Sequence, residues 1–297
     1  MIWFLFALGA AVSDSWSRAS QKWAIDADYY SKYAITVTIT GLASLLLFLI
    51  SYFFTGFPVL KTGFWTAIAV TGILNAITFP LLLKAYEIGE FSSVYSMILL
   101  SPVFLLATSF FFLGEVPTPS GIGGVLLTVF GLLIIVRGNA KDHQNVRNFS
   151  KGNWLGVLVA LIWSVSVNFD KLAAQYSGPF FAPAIGLIFI ASGSFIYALY
   201  KKEFALNTRG DGKETKVFFS VKHYAILLVA ALFLVLSNVL HNFALLAGPA
   251  AYTIAIKRLG ILFGVFWGWL FFKEKDISRK LLGAGVAVAG VVMILFG

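Results

Sequence analysis

The sequence predicts an all-α integral membrane protein with ten transmembrane helices, arranged as two inverted five-helix repeats. Its composition indicates the membrane class, because 59% of the 297 residues are hydrophobic and only 12% are charged. The mean hydropathy is +0.88, and a soluble protein of this size has about twice that charged fraction. Long apolar stretches are the second indication, since about 20 apolar residues cross a bilayer as a helix.

Ten apolar stretches are long enough to be spans, and they are numbered here in chain order. Span 1 covers about 2–23, and no positive segment precedes it, so we expect a membrane helix rather than a cleaved signal peptide. The polar stretch 139–153 separates two sets of five spans, 1–138 and 154–297. The other spans lie near 33–54, 64–86, 92–113, 120–137, 154–176, 179–200, 222–246, 250–272 and 279–296.

The two sets repeat one another in sequence. Because five is an odd number, the second set must enter the membrane in the opposite orientation to the first. Inverted repeats are typical of secondary transporters, whose binding sites lie near the bilayer midplane at the repeat interface. A shift of 159 residues places Gly89, Glu115, Gly124, Gly131 and Gly138 on Gly248, Glu274, Gly283, Gly290 and Gly297, and a shift of 149 places Ser15, Ser17 and Lys22 on Ser164, Ser166 and Lys171.

The distribution of lysine and arginine predicts the topology. Of the 22 basic residues, 18 fall on the side of the joins after spans 1, 3, 5, 7 and 9, and only Lys61 and Lys171 fall on the opposite side. Positive charge marks the cytoplasmic side of a membrane protein. We therefore expect a multi-pass protein of the cytoplasmic (inner) membrane with both termini outside the cytoplasm.

Several function classes are not expected. The chain has no cysteine, and its three histidines show no metal-ligand spacing, so neither a disulfide nor a metal site is predicted. No catalytic set of side chains and no GxxxxGK[ST] loop occurs, so we expect neither an enzyme nor a cofactor nor ATP hydrolysis. The positive charge follows the topology and does not predict a nucleic-acid partner. The expected partners are the lipid bilayer and a small-molecule or lipid-headgroup substrate, with the chain a monomer or a homodimer.

The leading candidates for a binding site are Lys257 and Arg258, which lie about a third of the way into span 9. A cation at such depth costs roughly 2.5–3.5 kcal/mol on insertion scales. The pair is therefore predicted to face a central cavity and to bind an anionic group. The alternative is that one of the two cations pairs with a carboxylate elsewhere, such as Asp14.

Other polar and aromatic residues inside the spans are weaker candidates, because each alone more often packs between helices than binds a ligand. Asp14 and Arg18 are four residues apart, so they form a structural ion pair, or Asp14 is a proton carrier or a ligand for a substrate amine. Asp170 and Lys171 are interpreted as an interfacial pair. The candidate substrate-binding residues are Asn75, Tyr95, Trp163, Asn168, Asn238, His241, Asn242 and Tyr252.

Glycine and proline predict packing and flexibility. Gly124, Gly131 and Gly138 recur every seven residues in span 5, as Gly283 and Gly290 do in span 10, so both faces are expected to pack closely against other helices. Proline leaves a helix carbonyl without its usual donor, so Pro80 in span 3 and Pro102 in span 4 are expected hinge points.

The segments 96–115 and 260–274 resemble the helix 4 and helix 9 signatures of the EamA family, which belongs to the drug/metabolite transporter superfamily. A glycine-rich segment follows each of them, 121–138 and 283–297, as in that family. The resemblance implies a ten-helix transporter, but relatives carry amino acids, nucleosides, sugars, choline and other metabolites. Lys257 and Arg258 also resemble the helix 9 Lys-Arg pair of the sugar-phosphate translocator branch, where the pair binds phosphate.

Together these observations predict a secondary transporter that works by alternating access. Its expected substrate is a small organic metabolite with an anionic group, phosphate or carboxylate. Two alternatives remain at this point: a translocase for a lipid-linked phosphate headgroup, and an exporter of amino acids or other zwitterionic metabolites.

Overall fold

The computed structural model describes residues 2–26, 32–89, 91–137, 150–200, 221–263 and 277–296, and these ranges contain helices and no strand. A further helical turn begins at Gly260 and is described as far as Phe263. The helices are α1 (Ile2–Asp26), α2 (Lys32–Thr55), α3 (Phe64–Ile88), α4 (Phe91–Ile98), α5 (Ser101–Leu113), α6 (Pro119–Arg137), α7 (Lys151–Ser177), α8 (Phe181–Tyr200), α9 (Val221–Ala247), α10 (Ala250–Lys257) and α11 (Ile277–Phe296).

Some predicted features fall outside the described residues. They are most of the linker 139–153, the end of span 9 beyond 263, His143, Gly138, Glu274, Gly297 and the side chain of His223.

Within the described ranges, six helical stretches are long and apolar enough to cross a membrane. They correspond to spans 2, 3, 4, 6, 7 and 8, and two shorter apolar helices, Pro119–Ile135 and Leu282–Phe296, correspond to spans 5 and 10. α1 is not one of the six. Its second half carries Asp14, Arg18 and several serines, and two of its neighbouring contacts are polar: Ser17 donates to the Ala230 carbonyl at 2.9 Å, and Ser237 donates to the Ala10 carbonyl at 3.1 Å. The chain is a helical, multi-pass membrane protein. The total of ten spans stays a prediction.

Spans 4 and 9 are each broken within the bundle. Span 4 divides at Leu99 and Leu100 into α4 and α5, and span 9 divides at Arg258 and Leu259, after α10. The two breaks coincide under the 159-residue shift found in the sequence. Irregular helix turns at corresponding places of two repeats are typical of transporter binding sites. Most backbone amides at the two breaks keep a partner three or four residues earlier in the chain.

The two prolines differ in their effect. Pro80 lies inside α3, which continues without interruption from Phe64 to Ile88, so the break expected there is absent. Pro102 lies in the first turn of α5. A proline is well accommodated in a first turn, because the amide that it lacks has no helical partner there. The break in span 4 therefore precedes Pro102, and α3 accommodates its proline within a continuous helix.

The helices pack in pairs that the repeat relates to each other. α1 packs along α9, and α7 packs along α3, which is the same pairing of spans under the repeat. α2 packs against α8, and α6 packs against α11. α7 also contacts α4 and α5, whereas α1 also contacts α10. Two groups of helices result, one built around α7 with α3, α4 and α5, and the other built around α1 with α9 and α10.

Glycine sets the close approach of α6 and α11. A Cβ added to Gly124 would lie 2.6 Å from the carbonyl oxygen of Gly290, and one added to Gly131 would lie 2.6 Å from that of Gly283. These distances are too short for any side chain, so the expected tight packing of these faces is found. The repeat exchanges the two contacts, because the 159-residue shift maps Gly124 onto Gly283 and Gly131 onto Gly290.

Candidate substrate-binding site

Arg258 lies at the break of span 9, directly after the last turn of α10. Its Nη2 donates a hydrogen bond to the Ser101 hydroxyl at 2.9 Å, and its guanidinium lies 5.4 Å from the ring centroid of Trp163. A guanidinium over an indole ring at this distance is a cation–π contact. Arg258 thus joins the two broken spans to α7 near the middle of the bundle.

Among the residues that the structure describes, no carboxylate directly contacts either cation of the pair. The ion pairs formed among the described residues are Asp14 with Arg18 at 2.7 Å and Glu115 with Lys171 at 2.6 Å. Asp14 lies within electrostatic range of Lys257 and Arg258, but its hydrogen bond goes to Arg18. The Nε of Arg258 is buried without a partner from the described part of the chain, and no described residue accepts a hydrogen bond from Lys257.

The charges of the pair determine which ligand fits here. Ser101 is the first residue of α5, so Arg258 reaches the point at which span 4 divides. The two formal positive charges favour an anion at this position. A bidentate carboxylate or phosphate would satisfy the Nε that has no partner.

Two more of the predicted residues belong to this region. Trp163 holds the guanidinium from the α7 side. Tyr95, in α4, is half-buried and lies within electrostatic range of Arg258 and Arg18. The side chain of Arg18 is 70% exposed.

Four other predicted residues line a separate cavity between α3, α7, α8 and α9. These residues are Asn75, Asn238, His241 and Asn242, and Asp170 joins them. The cavity has a volume of about 80 Å³, enough for several water molecules. Asp170 and His241 lie within electrostatic range of Lys257, so the cavity and the cation pair are neighbours.

Two predicted residues serve contacts between helices instead of lining the cavity. Asn168 is fully buried and donates to the Thr108 hydroxyl at 3.1 Å and to the Ser164 carbonyl at 2.8 Å, which ties α7 to α5. The hydroxyl of Tyr252 accepts a hydrogen bond from the backbone amide of Thr118 at 2.9 Å, close to the end of the bundle.

The interpretation of Asp170 and Lys171 as an interfacial pair is wrong. Neighbouring residues on a helix point about 100° apart, so the two side chains face different partners. Asp170 accepts a hydrogen bond from the Thr71 hydroxyl at 2.5 Å and faces the cavity. Lys171 points toward the other side of α7, where it pairs with Glu115.

Lys171 and Glu115 form a compact lock with the join between α9 and α10. Lys171 Nζ donates to Glu115 Oε1 at 2.6 Å and to the Gly248 carbonyl at 2.7 Å. The backbone amide of Ala250 donates to the second carboxylate oxygen of Glu115 at 2.8 Å. Both charged side chains are largely buried, with exposures of 10% and 18%. The lock connects the helix group around α7 with the group around α1 at one end of the bundle.

The repeat in the sequence pointed to the residues of the lock, although their contact was not predicted. Glu115, Lys171 and Gly248 were all singled out because they recur in the other repeat, and the structure brings the three together. Thr71 and Ser101 were missed, because an isolated hydroxyl in an apolar span does not stand out. Thr71 precedes Asn75 by four residues, so the two share a face of α3, and this spacing was the available signal.

Comparisons with known proteins agree with this architecture. The sequence profile of the EamA-like transporter family matches residues 1–137 and 150–296. A solved structure described as "Crystal structure of protein" is similar to this chain with a TM-score of 0.77 and 12% sequence identity, over 98% of this chain and 95% of the other. At that identity the likeness concerns the fold alone. No curated protein sequence matches the chain. The profile covers both halves of the sequence, and it confirms the resemblance carried by spans 4 and 9: the chain belongs to the EamA-like transporter family, within the drug/metabolite transporter superfamily.

Proposed function

We propose that this transporter carries a small organic metabolite with an anionic group, phosphate or carboxylate, and that Arg258 and Lys257 bind that group. The observation that carries the proposal is the environment of Arg258. The guanidinium is fixed by Ser101 and Trp163, yet no carboxylate of the described residues contacts it and its Nε has no partner. Buried charges are usually paired, so the missing anion is assigned to the substrate.

The two cations contribute differently to recognition. Arg258 presents a planar fork that matches the two oxygens of a carboxylate or phosphate. Lys257 supplies a point charge from the preceding position, about 100° around the helix. A substrate oxyanion therefore has to lie where the broken ends of spans 4 and 9 meet.

The arrangement of the two helix groups supports alternating access. At one end, the lock formed by Lys171 and Glu115 holds the groups together, whereas the side chain of Arg18 is exposed. In secondary transporters, one group rocks against the other around a fixed site and so releases the substrate on the other side. Under this proposal the cation pair at the breaks of spans 4 and 9 is reached from either side in turn.

The proposal predicts a loss of anion affinity on removal of either cation. Loss of one charge-assisted hydrogen bond costs about 1.5–3 kcal/mol, which is roughly a 10- to 150-fold loss of affinity. We expect this reduction for Lys257→Ala and Arg258→Ala when inorganic phosphate and acetate are titrated against the purified protein and the thermal denaturation midpoint is followed.

Lys84→Ala serves as the matched control, because Lys84 is an exposed cation of α3. It should bind both anions as the unmodified protein does. Unchanged anion affinity in both site variants would overturn the proposal. Uptake of water-soluble anions into proteoliposomes, measured beside a lipid-flip assay, distinguishes a metabolite carrier from a translocase of lipid headgroups.

A further inference from the structure

The cavity that contains Asp170 differs from the cation pair in the kind of hydrogen-bonding group that it offers. It lies between α3, α7, α8 and α9, and its polar lining consists of Asn75, Asp170, Asn238, His241 and Asn242. In the described part of the chain, Asp170 forms no ion pair. The question is which hydrogen-bonding groups of the lining are already used within the protein.

Two of the asparagines use one of their two amide N–H groups within α9. Asn238 Nδ2 donates to the Leu234 carbonyl at 2.8 Å, and Asn242 Nδ2 donates to the Asn238 carbonyl at 2.9 Å. A backbone carbonyl only accepts, so these bonds fix which end of each amide is the nitrogen. The side-chain oxygens of both residues have no partner among the described residues and remain as acceptors at the cavity.

A chain of hydrogen bonds fixes the third asparagine and ends on the carboxylate. Thr71 has one hydroxyl proton and donates it to Asp170 at 2.5 Å, so it accepts from its other neighbours. Ser166 consequently donates to Thr71 at 2.7 Å, and Asn75 Nδ2 donates to Ser166 at 3.0 Å and to Thr71 at 3.2 Å. With Asp170 ionised, the protons of this chain all point toward its carboxylate.

His241 completes the lining. Its side chain is only 7% exposed, and Nδ1 is buried without a partner in the described residues. With the proton on the other ring nitrogen, Nδ1 is a further acceptor. The cavity therefore gathers a carboxylate, three amide oxygens and an imidazole nitrogen.

We propose that this cavity binds a primary ammonium group. Such a group has one positive charge and three N–H donors and no acceptor, which complements a lining of one carboxylate and neutral acceptors. The inference rests on the proposed function and extends it, because the substrate would then carry an amine in addition to its anionic group. Asp170 and His241 lie within electrostatic range of Lys257, so one substrate can place its two charges on the two neighbouring sites.

The test compares two cations that differ only in their donors. Methylammonium has three N–H donors, and tetramethylammonium has the same charge and none. We expect methylammonium chloride to raise the thermal denaturation midpoint of the purified full chain at constant ionic strength, and tetramethylammonium chloride to have no effect. Asp170→Asn should weaken methylammonium binding by about 10-fold or more, as expected when one charge-assisted hydrogen bond is lost.

Glu87→Gln is the matched control, because it removes the same charge from an exposed position of α3 and should leave methylammonium binding unchanged. Equal responses to both cations in the unmodified protein would overturn the inference even if Asp170→Asn does not fold. Methylammonium binding that survives in a folded Asp170→Asn variant would overturn it as well.

Two further comparisons distinguish the ammonium proposal from the anion proposal and identify the source of the amine. Phosphate binding without methylammonium binding rejects the ammonium site alone, and the reverse result rejects the anion site alone. If the amine belongs to a lipid, vesicles that contain phosphatidylethanolamine should stabilise the protein more than vesicles of phosphatidylcholine alone, and Asp170→Asn should abolish the difference. Without that difference, a response to methylammonium assigns the amine to a soluble substrate.

Discussion

At the scale of single residues, substitutions in the ion pair of Asp14 and Arg18 distinguish a structural role of Asp14 from a role in proton coupling. Its 2.7 Å contact spans one turn of α1, and the side chain of Arg18 is 70% exposed whereas that of Asp14 is 23% exposed. We expect Asp14→Asn to lower the thermal denaturation midpoint slightly, because Arg18 loses its partner. Asp14→Asn combined with Arg18→Gln should recover the midpoint, as expected for two coupled residues.

A transport measurement would detect a role of Asp14 in proton coupling. If Asp14 carries protons, Asp14→Asn will keep its stability and its counterflow exchange but will lose accumulation driven by a proton gradient. That pattern would contradict the structural role. The hydrogen bond between Arg18 and Asp14 favours the structural role, because it occupies the carboxylate that coupling would require to be accessible.

At the scale of elements, the lock of Lys171 and Glu115 determines how the two helix groups meet at one end. It joins α7 and the segment after α5 to the join between α9 and α10 through three charge-assisted hydrogen bonds. Each such bond contributes about 1.5–3 kcal/mol. Loss of one of these bonds therefore shifts the ratio of closed to open states by roughly 10- to 150-fold.

A cysteine reporter measures that shift directly. The chain contains no cysteine, and a Cβ added to Gly186, which lines the cavity, meets no atom within 4 Å. In a Gly186→Cys background, Lys171→Met and Glu115→Gln should both accelerate labelling by a membrane-impermeant thiol reagent added on the side of the lock. The double variant should label no faster than the faster single variant.

Lys61→Met is the control for the lock. Lys61 is an exposed lysine, and its backbone amide donates to the carbonyl of Tyr176 near the end of α7. Lys61→Met therefore removes the same charge as Lys171→Met at the same end of the bundle. It should leave the labelling rate unchanged. Equal rates in Lys171→Met, Glu115→Gln and the unmodified reporter would show that the lock does not control access.

At the scale of the whole molecule, the charge distribution makes a prediction about orientation. The segments 56–63, 114–118 and 248–249 are the joins after spans 2, 4 and 8, and the 18-to-2 split of basic residues assigns them to the exterior. Short epitope tags at the two termini are therefore expected to be reached by antibodies without permeabilisation of the inner membrane. Tags that become accessible only after that membrane is permeabilised would contradict the predicted topology and would place the lock on the cytoplasmic side.

The same prediction connects the lock to the direction of transport. With the termini outside, the lock closes the exterior end, and the exposed Arg18 lies toward the cytoplasm. The labelling experiment and the tags are independent of each other, since one reports which changes open the cavity and the other reports which side the lock faces.

The sequence alone determined the membrane class and the family, and it predicted the positions of the spans and the repeat. Each of these depends on local properties, namely the length of apolar runs, the spacing of glycines and the counting of charges, and none requires knowledge of how helices are turned. Lys257 and Arg258 stood out for the same reason, because a cation inside an apolar run is visible without any structure.

Only the tertiary structure decided which side chains meet. In a membrane helix the faces toward lipid and toward protein are both apolar, so the pattern of residues does not show how the helix is rotated about its axis. Asp170 and Lys171 were joined as a pair on adjacency alone, yet they point to different neighbours, one to Thr71 and the other to Glu115. That rotation is set by packing between distant elements, such as α7 against α3 and α5. It directs Asp170 to the cavity and Lys171 to the lock, on different faces of one helix.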